Sequence, residues 1–147
     1  MSSLSYFSPN GGCEAAIINN LDYTSSSVKG LLFMYQSGPI HTKLLSLLGF
    51  GISVSLVFDR RQQFVASPRI TELIAAGAEC HYDKIEKSIR SQYLIIDDGL
   101  ILTGSYLYTY TSELRYAENL LISDDPDLST PYCTDWQYHH DHSEPIV

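Results

Sequence analysis

Along the 147-residue chain, short apolar runs alternate with amphipathic stretches, and this rhythm predicts most of the elements. Ser8-Pro9-Asn10-Gly11-Gly12 is a dense cluster of turn formers. It opens onto Cys13 to Leu21, where Ala15, Ile17, Ile18 and Leu21 recur at helical spacing. Val28 to Tyr35 is a short apolar run suited to a buried strand. Ser37-Gly38-Pro39 sets a proline near a helix start, and Ile40, Leu44, Leu45, Leu47 and Leu48 supply that helix's apolar face up to Gly49 and Gly51. Ile52 to Phe58 alternates as a strand does. Ser67-Pro68 opens another helix, through Ile70, Leu73, Ile74 and Ala75 to Gly77. Tyr93 to Ile96 and Leu100 to Leu102, separated by Asp97-Asp98-Gly99, read as a hairpin. Asn119 to Ile122 is a further strand, and Asp127 to about His140 is the last helix, with Trp136 as its anchor. This order implies an α/β fold, a mixed β-sheet flanked by helices on both faces.

Composition narrows the class. At 16.5 kDa, with 44% hydrophobic and 18% charged residues, residues 1–147 fit one domain with a real core. No apolar stretch approaches the ~20 residues of a membrane span, so no membrane partner is expected. Met1 to Asn10 is Ser-rich and lacks the segments of a secretory signal. Cys13, Cys80 and Cys133 form an odd set without CxxC spacing, which argues against a disulfide framework or zinc knuckle and fits a reducing, cytoplasmic setting. The formal charge is −8. From Tyr116 to Val147 there are seven acids and no Lys or Arg, while the rest of the chain is nearly neutral. Such a segment reads as a solvated acidic face, and the balance disfavours direct nucleic-acid binding.

Three stretches carry a family likeness. They are Tyr6-Phe7-Ser8-Pro9-Asn10-Gly11-Gly12-Cys13, then Leu94-Ile95-Ile96-Asp97 through Leu102-Thr103-Gly104-Ser105, then Ala117-Glu118-Asn119-Leu120-Leu121-Ile122. Together with Asp135-Trp136-Gln137, His139, His142 and Ser143, they resemble the single-motif endonucleases of the phospholipase D superfamily over nearly the whole chain. That family's signature is His-x-Lys, four residues, Asp, six residues, Gly-Ser. Anchored on Asp97 and Gly104-Ser105, it puts Arg90 at the His position and Gln92 at the Lys position, and Leu107 stands where an Asn is often found. The resemblance implies a His nucleophile, a partner subunit's His as acid, a charge-neutralising Lys and no metal or other cofactor. Guanidinium offers neither a free lone pair nor a pKa near working pH, and Gln brings no charge. The degenerate site is therefore Arg90, Gln92, Asp97, Ser105 and Glu118, with Arg90, Gln92 and Ser105 as candidates for holding a phosphate or a partner's carboxylate. Arg90 paired to Glu118 as a salt bridge is the purely structural alternative.

Other histidines offer no obvious substitute. His41-Thr42-Lys43 is followed at the critical spacing by Leu48, and His81 reads as a surface residue. His139, His140, Asp141 and His142 form the densest cluster; His139 and His142 share a helix face with Asp135 one turn earlier. A polar helix end, with no metal, is the simpler reading. Tyr106, Tyr108, Tyr110 and Tyr116 suit a core or a subunit interface. Two functions result: a catalytically inactive, homodimeric protein that binds another protein, basic or an active relative, or a metal-independent phosphodiesterase with residual or altered chemistry.

Overall fold

The structure is a computed structural model, and it describes residues 2–64 and 68–147. The strands are β1 (Ser3–Ser8), β2 (Ser27–Leu32), β3 (Ser53–Asp59), β4 (Glu79–Asp83), β5 (Gln92–Ile96), β6 (Leu100–Thr103), β7 (Glu118–Ser123) and β8 (Glu144–Pro145). The helices are α1 (Cys13–Leu21), α2 (Gly38–Gly49), α3 (Pro68–Ala75), α4 (Tyr110–Leu114) and α5 (Pro126–His142), with a 3-10 turn at Arg60–Phe64. The strands form one mixed sheet in the order β1-β7-β6-β5-β2-β3-β4-β8. β2, β3 and β4 run parallel, and the remaining pairings are antiparallel.

Period-two alternation divides the side chains between two layers. Val28, Leu32, Val54, Leu56, Phe58, Leu94, Ile96, Leu102, Leu120 and Ile122 point to one face and pack with Cys13, Ile17, Leu21, Ile40, Leu44, Ile70 and Leu73 of α1, α2 and α3. Leu31, Val57, Tyr93, Ile95 and Ile101 point to the other and pack under Trp136 of α5. Gly30 lies at the centre, because a Cβ there would come within 2.8 Å of both Leu56 and Leu94. The carbonyl of Gly30 accepts the Trp136 indole N–H at 2.8 Å, which fixes α5 over the middle of the sheet.

Most predicted elements appear where the pattern places them. The run at Val28 to Tyr35 pairs as a strand only to Leu32; Phe33 to Ser37 leave the ladder, although Tyr35 stays buried. Apolar continuity there reports burial rather than pairing. The Ser-rich start forms β1, an edge strand registered from Ser3 opposite Ser123 to Ser8 opposite Glu118. As an edge strand paired only with β7 it is largely exposed, with Leu4 and Phe7 facing solvent, Tyr6 half-buried and Ser8 buried. Ser67 lies outside the described residues; the helix it was expected to open runs from Pro68. Among the described residues no helix is long and apolar enough to cross a membrane.

Candidate functional site

A groove of about 470 Å³ opens where β5 begins, lined by Arg90, Ser91, Gln92, Tyr93, Gly104 and Tyr132 among others. The loop before β5 is held by Asp59, the buried last residue of β3. Its carboxylate accepts from the N–H of Ile89 at 2.6 Å and from Arg61 Nε at 2.7 Å. Burial pushes the Asp59 carboxyl up, but the Arg61 side chain and the N–H groups of Arg61 and Ile89 outweigh it and hold the group below its ordinary value. This anchor leaves Arg90 exposed, without an ion pair among the described residues. The expected salt bridge to Glu118 does not form: Glu118 Oε2 instead accepts from Ser112 Oγ at 2.5 Å and from Leu107 N–H at 3.3 Å. One strand, β6, lies between its strand β7 and β5, and its carboxylate faces the 105–112 loop.

Gln92 is buried, and its amide is already committed. Oε1 accepts from the N–H groups of Phe33 at 2.9 Å and Met34 at 3.2 Å, while Nε2 donates to Met34 O at 2.8 Å. One carboxamide thus closes the backbone just beyond the end of β2, a task for which Lys has no acceptor. Gly104 adopts φ of +142° where β6 meets β7; a Cβ would lie 2.3 Å from Asn119 O. Ser105 follows as an exposed residue that donates to Asn119 Oδ1 at 2.9 Å and accepts from Asn119 N–H at 3.1 Å.

Asp97 occupies the opposite end of the hairpin, five residues from Gln92 and so about 16 Å along the strand. Asp97 and Asp98 both have positive φ, the backbone of a tight hairpin turn. The Asp97 carboxylate accepts from the N–H groups of Ser25, Ser26 and Ser27 at 2.8–3.0 Å and from two serine hydroxyls. Burial works against these bonds, but they hold its carboxyl well below the usual range. Asp97 is thus a joint between the hairpin and the chain entering β2, remote from the groove. Of the five residues named from sequence, the structure brings Arg90 and Gln92 to one groove, places Ser105 and Glu118 on the neighbouring turn, and sets Asp97 apart.

The remaining candidates also find their places. His41 is buried on α2, held by Tyr35 Oη at 2.7 Å and Glu72 at 2.8 Å. His81 is buried too, not a surface residue; its position on β4 turns it beneath α5, where Nδ1 meets Ser143 Oγ at 2.8 Å. Tyr106 and Tyr108 are core residues at 1% exposure, so only Tyr110 and Tyr116 of that run are presented to solvent. Sequence reasoning missed Asp83 and Glu86. Asp83 is fully buried, and its Oδ2 receives His139 Nδ1 at 2.7 Å and His142 Nε2 at 2.8 Å. The signal available was a pair of matching intervals, Asp83-x-x-Glu86 and His139-x-x-His142.

No family model matches the sequence. A phospholipase D of Rickettsia conorii is 28% identical over 130 residues, covering 88% of this chain and 65% of that protein. A mitochondrial cardiolipin hydrolase of Chlamydomonas reinhardtii is 28% identical over 111 residues, 74% of this chain and 50% of that protein. The chain therefore spans less than two thirds of the length of these relatives. Among solved structures, Nuc of Salmonella typhimurium, a phospholipase D family member, matches with a TM-score of 0.90 at 20% identity over 99% of this chain and 97% of that one. NucT of Helicobacter pylori matches with a TM-score of 0.89 at 15% identity, over 99% of both chains. With Asp97 and Gly104-Ser105 in place on that sheet, the chain has the fold of Nuc and is similar over most of its length to phospholipase D proteins.

Proposed function

We propose that this protein binds rather than hydrolyses, holding an anionic group at Arg90 in a groove that has lost phosphodiester turnover. One observation carries the reading: the two signature positions that would supply nucleophile and cation hold an exposed guanidinium and a carboxamide spent on backbone. Guanidinium stays protonated and lacks a lone pair, so it can neither attack phosphorus nor shuttle a proton. It can fork onto a phosphate or carboxylate through two parallel hydrogen bonds. A second depression beside the groove, about 570 Å³, is lined by Arg60, Arg61, Lys87 and Arg90, four of the nine basic residues in the chain, with Glu86 the one acid among its lining residues. The local field at Arg90 is thus opposite in sign to the net charge of −8.

The ligand of this groove is the acidic or phosphorylated surface of a protein partner, and the working unit is a homodimer. Exposed Leu4, Phe7, Tyr110 and Tyr116 lie around the β1 edge and α4, a half-polar aromatic surface of the kind that isologous contacts use. Incubation with bis(p-nitrophenyl) phosphate and with plasmid DNA in EDTA tests the first part, and we expect no turnover above the blank. Turnover that disappears in Ser105→Ala or Glu118→Ala protein would overturn it. Light scattering tests the second, with a mass near twice 16.5 kDa expected; a monomer at all accessible concentrations would remove the dimer.

A further inference from the structure

The second face of the sheet is apolar under the first half of α5 and polar under its last turns. There the alternation of β4 turns Glu79, His81 and Asp83 toward the helix, whose own end reads His139, His140, Asp141, His142. Two groups of potential ligands result, one of them with four donors: Asp83, Glu86, His139 and His142. Their four ligand atoms lie within 4.8 Å of one another.

From this geometry we infer that Asp83, Glu86, His139 and His142 form a site for a divalent transition-metal ion, with zinc the cation the donor set suits. His139 and His142 sit three apart on α5 and present Nδ1 and Nε2 to the same point. Each nitrogen is 2.7–2.8 Å from Asp83 Oδ2 and 3.8 Å from Glu86 Oε1. Four ligands on zinc at about 2.0–2.1 Å stand about 3.3–3.4 Å apart in a tetrahedron. The four nitrogen–oxygen separations bracket that edge, so small movements of these side chains would bring them toward one ion.

The surroundings are those of a built site. Asp83 Oδ1 accepts from the N–H groups of Ile85 and Glu86 at 3.0 and 3.3 Å, which aims Oδ2 at the imidazoles. His139 Nε2 lies 3.5 Å from Asp135 Oδ1, the outer carboxylate that orients a ligand imidazole. Asp83 has no exposed surface, and among the described residues the ion pairs of Asp83 and Glu86 are with histidine alone. One divalent ion would neutralise the two carboxylates so placed. Imidazole with carboxylate is the borderline donor set that zinc takes, and calcium or magnesium would take oxygens instead. This inference does not depend on what Arg90 binds.

The test uses the untagged full chain, stripped with a chelator, dialysed and titrated calorimetrically with zinc chloride alone. One ion per chain with a Kd below about 1 μM is expected. Zinc-edge X-ray absorption of the loaded chain should show two imidazoles among four nitrogen and oxygen donors at about 2.0–2.1 Å. His142→Gln keeps a donor for Asp83 but removes a ligand, and should weaken binding by more than about 100-fold. His140→Gln, in the neighbouring group, should leave affinity unchanged. No binding, a first shell without two imidazoles, or a site lost in His140→Gln and kept in His142→Gln would each overturn the inference. The absorption spectrum of the unmodified chain decides the matter even if His142→Gln does not fold.

Discussion

The two faces of the central sheet are built by the same strands but do different work. Under α1, α2 and α3, every strand from β2 to β7 contributes apolar side chains to one continuous layer. Under α5, the same strands give apolar residues near Trp136 and then Ser55, Asp59, Glu79, His81 and Asp83 toward the β3–β4 side. The first face is held mainly by shape, while the polar end of the second is held by specific hydrogen bonds to carboxylates. Stability therefore comes mainly from one face, and both candidate sites, the Arg90 groove and the histidine cluster, belong to the other.

If that division is right, truncation on the apolar face should cost most. Leu56→Ala, at a fully buried position, should lose about 2–5 kcal/mol in chemical denaturation. A loss below about 1 kcal/mol would mean that this face is loosely packed and the comparison fails. Next comes Gln92→Lys, which restores the signature letter but removes the acceptor for Met34 N–H. It should cost about 1–3 kcal/mol, and a neutral result would show that the groove can still host a lysine.

Asp97→Asn probes the joint at the edge of the two faces. Because the folded carboxyl is depressed, its contribution is complete above its unfolded value of about 3.9 and fades as pH falls below it. The variant should thus be less stable than the parent at pH 7, by about 1–3 kcal/mol, and the deficit should shrink progressively as the pH falls below about 3.9. A deficit independent of pH would assign the effect to packing instead of charge. Smallest of all is Arg90→Ala, which should alter stability by no more than about 0.5 kcal/mol while abolishing capture of an acidic or phosphorylated ligand, as read by fluorescence anisotropy. Destabilisation there would show that Arg90 holds the fold after all.

The sequence by itself determined the elements whose period or punctuation is strong. The alternation at Ile52 to Phe58 gives β3, Ser37-Gly38-Pro39 starts α2, Asp97-Asp98-Gly99 turns the β5–β6 hairpin, and Trp136 anchors α5. Counting back from Asp97 and Gly104-Ser105 also put Arg90 and Gln92 where the signature the chain resembles has His and Lys. Weakly patterned pieces escaped it: β1 is a mostly exposed edge strand in which three serines are mixed with Leu4, Tyr6 and Phe7, and α4 is five residues long. Only the tertiary structure decided what the polar residues do. Whether Arg90 reaches Glu118, whether Gln92 faces a ligand or its own backbone, and which carboxylate meets His139 depend on contacts 28 to 59 positions apart. Such contacts are set by strand order and register, which local periodicity does not encode.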